Sequence, residues 1–253
     1  MANNDQYGIW VQGGQLSLTD CAVNTTAMIG IDDGVGVWIE DADGLVSWSG
    51  NDVDNNDGYP LQIHPGAVPI LEEDSASTYG GSGDYNYILV ASDTSPAVVE
   101  TSGSWPDAGI PYFVETPIQI DGDYQPTIDW TGLSIFFDDD VYVEVGTSTG
   151  GDLVVDTCDL AAQNEAAYWG GLVFHSGTSA SSVANSTIGY SGLNLGQSIY
   201  IFESASVDVE GNTFSNSLGD GVSCDSSNFT GTIDSNSFDN IAGDDVTAQC
   251  GLF

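Results

Sequence analysis

Asn212-Thr213-Phe214-Ser215-Asn216-Ser217-Leu218-Gly219-Asp220 is followed, 24 residues on, by Asn236-Ser237-Phe238-Asp239-Asn240-Ile241-Ala242-Gly243-Asp244. Two features keep step across that interval. One is an Asn, a spacer and a core aromatic; the other is a Gly-Asp pair. Their joint advance marks a stacked repeat rather than a local motif. Asn51-Asp52-Val53 carries the same Asn, spacer and core residue far upstream.

A shorter template extends the repeat along the chain: a small or turn residue, an apolar residue, an outward residue and a second apolar residue. It reads as Gly8-Ile9-Trp10-Val11 and Gly36-Val37-Trp38-Ile39, then as Leu61-Gln62-Ile63, Ile88-Leu89-Val90, Ile118-Gln119-Ile120 and Val143-Glu144-Val145. Leu172-Val173-Phe174, Ile199-Tyr200-Ile201, Val222-Ser223-Cys224 and Val246-Thr247-Ala248 complete it. The intervals run from 23 to 30 residues. Alternation of inward and outward residues is the pattern of a half-buried strand. Between occurrences lie turns rich in Gly, Asn, Asp and Ser. Helical periodicity is nearly absent, and Asp159 to Ala167 is its best candidate. These features predict an all-β chain, a parallel β-helix of about ten coils, forming one domain over 1–253. An inward Asn can then ladder its amide with the coils on either side. The competing architecture is a β-sandwich, whose strands need not hold register across 24 residues.

Composition limits function more sharply than fold. The 253 residues include 38 Asp and Glu and no Lys or Arg, for a formal charge of −38. An ordinary domain is about 25% charged, with both signs present. Hydrophobic residues at 41% and aromatics at 10% separate the chain from disordered acidic tails. Nucleic acid is excluded as a partner, because phosphate binding works through Lys and Arg. Anionic membranes are excluded on the same ground, and no run reaches the ~18 apolar residues of a membrane span. Cations, neutral glycans and basic protein surfaces remain. The start, Met1-Ala2-Asn3-Asn4-Asp5, has no basic n-region, so the expectation is a mature or excised segment without its signal peptide. Of Cys21, Cys158, Cys224 and Cys250, the last two fall on successive coils and form the candidate disulfide, with small buried hydrophobes as the other reading.

Four further stretches carry a family resemblance: Trp105-Pro106 with Ile110-Pro111-Tyr112-Phe113-Val114, then Pro126-Thr127-Ile128-Asp129-Trp130-Thr131-Gly132, Tyr168-Trp169-Gly170-Gly171-Leu172, and Asn212-Thr213-Phe214-Ser215-Asn216. They resemble motifs of the right-handed parallel β-helix repeat proteins of bacterial cell surfaces, a group with the pectate-lyase-like fold. The resemblance implies a right-handed extracellular β-helix, secreted or on the cell surface and excised from a longer surface protein, and says little of activity, since that fold carries adhesins, lyases, hydrolases and passive scaffolds alike. The missing Lys and Arg depart from the family and point to deliberate design or unusual selection. A self-assembling filament subunit is one form that design would take.

Three sets of residues are candidates for chemistry. Trp10, Trp38 and Tyr200 are expected to face outward from one sheet, as a flat aromatic column suited to sugar rings. Acidic clusters at Asp32-Asp33, Asp52 with Asp54 and Asp57, Glu72-Glu73-Asp74, Asp138-Asp139-Asp140 and Asp244-Asp245 offer oxygens to a hard cation such as calcium, although none fits an EF-hand loop. Gly243-Asp244-Asp245 resembles the Gly-Asp-Asp segment of polygalacturonase-type hydrolases, whose paired carboxylates act as acid and base. The Gly-His-Gly and Arg-Ile-Lys motifs of those enzymes are missing. His64 and His175 stand alone, and Asp244 matches Asp220 as a turn residue. The triplets beginning at Asn24, Asn185 and Asn228 fit glycosylation acceptors, a pattern that Asn- and Thr-rich turns produce often. The expectation is a non-enzymatic, strongly anionic extracellular scaffold or adhesion module binding glycan or divalent cations along its side, with no required cofactor. End-to-end self-association through open coil edges is a further expectation, and a polysaccharide-active enzyme is the alternative.

Overall fold

A computed structural model of the chain describes residues 7–24, 34–71, 77–82, 85–164 and 166–251. The fold is all-β, a parallel β-solenoid of about nine turns. It divides into two compact units, one of Met1–Ala97 with Trp105–Phe113 and the other of Val98–Ser104 with Val114–Phe253.

In the first unit, Tyr7–Val11, Val35–Ile39, Leu61–Ile63 and Ile88–Val90 pair in parallel and in register. Ile9 stacks on Val37, Val37 on Leu61 and Leu61 on Ile88, so one inward column runs through four coils. The alternate residues Trp10, Trp38 and Gln62 share the opposite face. Two shorter parallel pairs, Leu16–Thr19 with Leu45–Ser49 and Asp52–Asn56 with Thr78–Gly81, complete these coils.

Three parallel sheets build the second unit. One contains Ser134–Phe137, Asp159–Ala162, Thr187–Gly189, Thr213–Ser215 and Ser237–Asp239. A second contains Thr127–Thr131, Asp152–Asp156, Ser181–Ala184, Val207–Glu210 and Ile233–Asp234. The third contains Ile118–Ile120, Tyr142–Val145, Gly171–Phe174, Gln197–Ile201 and Asp220–Cys224. Inward columns such as Ile118, Val143, Leu172, Ile199 and Val222 are fully buried or nearly so. Each such residue contributes about 2 kcal/mol of burial. Aromatics stack in the same way: Phe214 on Phe238 at 5.0 Å and Phe137 on Trp169 at 4.1 Å between ring centroids.

A corner of the second unit explains the Asn column. At Gly132, Thr157, Asn185, Gly211 and Ser235 the backbone is left-handed, with φ between 49° and 70°. Gly takes that conformation without cost, and Asn tolerates it better than most residues. The bend turns the following residue into the coil. That residue is Asn at 212 and 236. Asn212 accepts from the N–H of Ser186 at 3.0 Å and donates Nδ2 to the carbonyl of Val183 at 2.8 Å. Asn236 accepts from the N–H of Asn212 at 2.9 Å and donates to Val209 at 2.8 Å. In the first unit Asn51 repeats the bracket, accepting from Cys21 at 3.1 Å and donating to Leu18 at 2.9 Å. Ser186 and Cys158 occupy the corner on earlier coils, where Ser186 Oγ accepts from the N–H of Cys158 and Cys158 Sγ contacts the Trp130 carbonyl.

The structure corrects two expectations and resolves the one helical candidate. The ten occurrences of the short template do not form one column. The first four share a sheet, whereas Ile118, Val143, Leu172, Ile199 and Val222 belong to a different one, with Val246 bridged to Val222. Tyr112–Val114, not Ile118–Ile120, follows Ile88–Val90 in strand order. Two apolar triplets lie close together there, and a period loose by several residues accepts either. For the same reason Tyr200 is on a different sheet from Trp10 and Trp38. Residues 159–162 are strand, not helix: Leu160 sits between Ile135 and Ile188, and coil stacking overrides the local alanine content.

Candidate functional site

Strand alternation places Trp10 and Trp38 on the outer face of adjacent coils, as direct partners in the ladder. Their rings stack with centroids 5.1 Å apart and planes within 6°. Tyr7 leans against both, at 5.7 and 5.0 Å. Trp38 covers one indole face of Trp10, yet Trp10 stays 48% exposed, so water reaches its other face and edge. The result is a step with an open aromatic tread.

Polar groups hold the step in place. Trp10 Nε1 donates to Glu40 Oε2 at 3.1 Å, and Gln12 Nε2 donates to Glu40 Oε1 at 3.2 Å. The N–H of Gly13 donates to Asp41 Oδ2 at 2.7 Å. The partial desolvation of Glu40, together with a hydrogen bond from its carboxyl to the neighbouring Asp93, raises its carboxyl above the ordinary range. The donors from Gln12 and Trp10 oppose that rise and do not cancel it. The site therefore joins an apolar ring face to a pair of crowded carboxyl groups.

The same alternation could have identified two of these partners. Gln12 lies two residues beyond Trp10, and Glu40 two beyond Trp38, so each shares its Trp's face of the strand. Asp93 left no such signal, because it lies in a connection outside the repeated template.

Tyr200 sits in a separate aromatic group in the second unit. Its ring meets Phe202 edge-on at 4.8 Å, and Phe202 stacks on His175 at 4.5 Å. His175 Nε2 lies 3.4 Å from Glu144 Oε1. Burial, then the nearby Asp225 carboxylate, raises the Tyr200 phenol. His64 is buried, which lowers its imidazole, and its Nδ1 accepts the N–H of Gly66.

The acidic clusters behave as turns. In Asp138-Asp139-Asp140, the carbonyl of Asp138 accepts the N–H of Val141, and Asp140 is left-handed and receives Asn194 Nδ2 at 2.6 Å. The N–H of Asp244 donates to Asp220 Oδ1 at 2.9 Å, and that of Gly243 to the carbonyl of Gly219, so the two Gly-Asp turns stack. Asp52 receives the Thr78 hydroxyl, and Asp54 the amide of Asn55. Asp32-Asp33 and Glu72-Glu73-Asp74 lie outside the described residues. Among the described residues no three His, Cys, Asp or Glu side chains converge as a metal group.

Two carboxylates that the sequence reading passed over are better anchored. Asp121, 4% exposed, accepts N–H bonds from Ser148, Thr149 and Gly150 and hydroxyl bonds from Thr147, Ser148 and Thr149. Burial pushes its carboxyl up, but the bonds from Ser148, Gly150, Thr147 and Thr149 together outweigh burial and hold it well below the usual carboxylate range. Asp152 accepts similarly from Ser179, Ala180 and Ser181. In a chain with no basic side chain but His, backbone N–H groups and hydroxyls take the place of Lys and Arg as partners.

Cys224 and Cys250 are joined, with Cα atoms 5.0 Å apart, while Cys21 and Cys158 are free thiols. Compared with known proteins, the chain matches no family model, no curated protein and no solved structure.

Proposed function

We propose that the chain is a non-enzymatic, strongly anionic extracellular scaffold or adhesion module that holds glycan on its side at the Trp10 step. The observation that carries this reading is the parallel stack of Trp10 on Trp38, with the outer indole face of Trp10 left to solvent. A flat apolar ring beside hydrogen-bonding carboxylates suits a pyranose, which offers an apolar face and a rim of hydroxyls. The Cys224–Cys250 disulfide favours an oxidising compartment. The resemblance to β-helix proteins of bacterial surfaces supports the same placement. The stacking of Asp244 on Asp220 as a turn weakens the comparison with hydrolases.

A panel of oligosaccharides titrated against intrinsic tryptophan fluorescence tests the proposal. Binding should quench or shift the signal, and Trp10→Ala should weaken it by about tenfold or more, the scale of one lost aromatic contact. Binding untouched by Trp10→Ala would place the glycan elsewhere. Product release from any oligosaccharide in the panel would replace the reading with an enzymatic one.

A further inference from the structure

Resting on that glycan reading, we infer that the Trp10 step takes a cationic amino sugar, a hexosamine oligomer with free amines. Its pyranose face lies on the indole and its ammonium against Glu40 and Asp93. Three observations converge on this class.

The first is the ring geometry. An aromatic face attracts a cation as well as an apolar surface, because its quadrupole presents negative charge outward. The exposed side of Trp10 serves both, and Tyr7 and Trp38 enlarge the aromatic surface.

The second is the state of Glu40. Its oxygens receive two donors, the indole N–H of Trp10 and the amide of Gln12, and both donors are neutral. A carboxylate has about four acceptor positions. Glu40 thus keeps unfilled acceptor capacity beside the ring, with the Asp93 side chain in hydrogen-bonding reach. An ammonium fills that capacity and relieves the crowding of two carboxyl groups. A neutral hydroxyl fills the capacity alone.

The third is the field of the whole chain. A formal charge of −38 with no Lys or Arg repels uronic, sulfated and sialylated glycans. It is indifferent to neutral ones and draws in cationic ones. No internal side chain of fixed positive charge competes for Glu40 or Asp93. Sign selection therefore comes from the sequence as a whole, and position from the step.

The test compares four probes by calorimetry and tryptophan fluorescence: the glucosamine tetramer at a pH where its amines are protonated, the N-acetylglucosamine tetramer, the galacturonate tetramer and spermidine. The expected result is about tenfold tighter binding of the free-amine tetramer than of the acetylated one, no binding of galacturonate, and a preference that shrinks with added salt. Glu40→Gln and Asp93→Asn should each reduce the ratio of free-amine to acetylated affinity several-fold. Gln at 40 still offers an oxygen to the Trp10 indole, and Asp93 is an exposed residue, so at least one variant is expected to fold; thermal melts check both. Equal affinity for the two tetramers would overturn the inference and leave the glycan reading standing. Spermidine binding as tightly as the amino sugar would overturn it in favour of charge alone. Binding of no oligosaccharide would remove both.

Discussion

Asn212 stands over Asn236 so that one side-chain oxygen, Oδ1 of Asn236, accepts both the backbone N–H of Asn212 at 2.9 Å and its Nδ2 at 3.0 Å. Asn212 is also nearly inaccessible and brackets Ser186 and Val183 on the coil before it. Replacing it with Ala leaves a buried N–H and a buried carbonyl without these partners. Asn212→Ala should cost about 2–4 kcal/mol. Asn236→Ala, at a half-buried position, should cost less. Urea melts of both variants check the order, and the reverse order would show that the ladder is held from its outer member.

Asp121 makes stability depend on pH with a definite sign. Its folded carboxyl titrates below its unfolded value, so its contribution is fully present above about pH 4 and is lost as pH falls through the folded value. Asp121→Asn should therefore be destabilised by about 2–3 kcal/mol near neutrality, and the gap to the parent chain should close in acid. Taking the difference between the two proteins cancels most of the shared titration of the other carboxylates. A gap that widened in acid would mean that the anchor works as a neutral hydrogen-bond acceptor.

The disulfide closes a loop with a sequence separation of 26 at the last described coil. Chain-entropy reasoning assigns about 3 kcal/mol to such a loop. In Cys250→Ser the bridge from Val222 to Val246 and the short helix Ala248–Cys250 should lose hydrogen-exchange protection first. Protection in the coils around Asn51 should stay as it was.

Screening should raise stability. Raising salt from about 0.01 M to 0.15 M shortens the Debye length from roughly 30 Å to 8 Å, which weakens repulsion among 38 acidic side chains. The melting temperature should climb with sodium chloride. If calcium at matched ionic strength raises it further, a carboxylate group is holding the ion. An equal response to both salts would assign the effect to screening.

Much of the solenoid was legible because stacked coils repeat chemistry as well as polarity. Asn212 and Asn236 bond alike, and Gly219-Asp220 and Gly243-Asp244 stack as their spacing implies. The pairing of Cys224 with Cys250 followed from the same register. What failed was the phase between coils, as at Ile118 and Tyr200. Apolar triplets on different sheets look alike, since each is an alternating strand, and only hydrogen bonding tells them apart. The Trp10 and Trp38 stack was visible for the converse reason, because tryptophan is rare enough to label one face. The polar half of the site, Glu40 with Asp93, was hidden among 38 equivalent-looking acids. Asp121 was hidden too, since three of its donors are backbone N–H groups, which carry no letter.

The anchored carboxylates of the second unit point one way along the chain. Asp121, Asp152, Asp208 and Asp220 each accept from residues of the following coil: Ser148, Ser179, Thr232 and Asp244. During synthesis from the N-terminus, every such acceptor leaves the ribosome before the turn it will hold. Each finished coil is thus a mould for the next, and the mould is asymmetric: a coil can shape its successor, whereas these carboxylates do nothing for a predecessor. A fragment truncated from the C-terminal side keeps every remaining carboxylate-held turn with its holder, while one truncated from the front exposes a first such turn whose holder is gone.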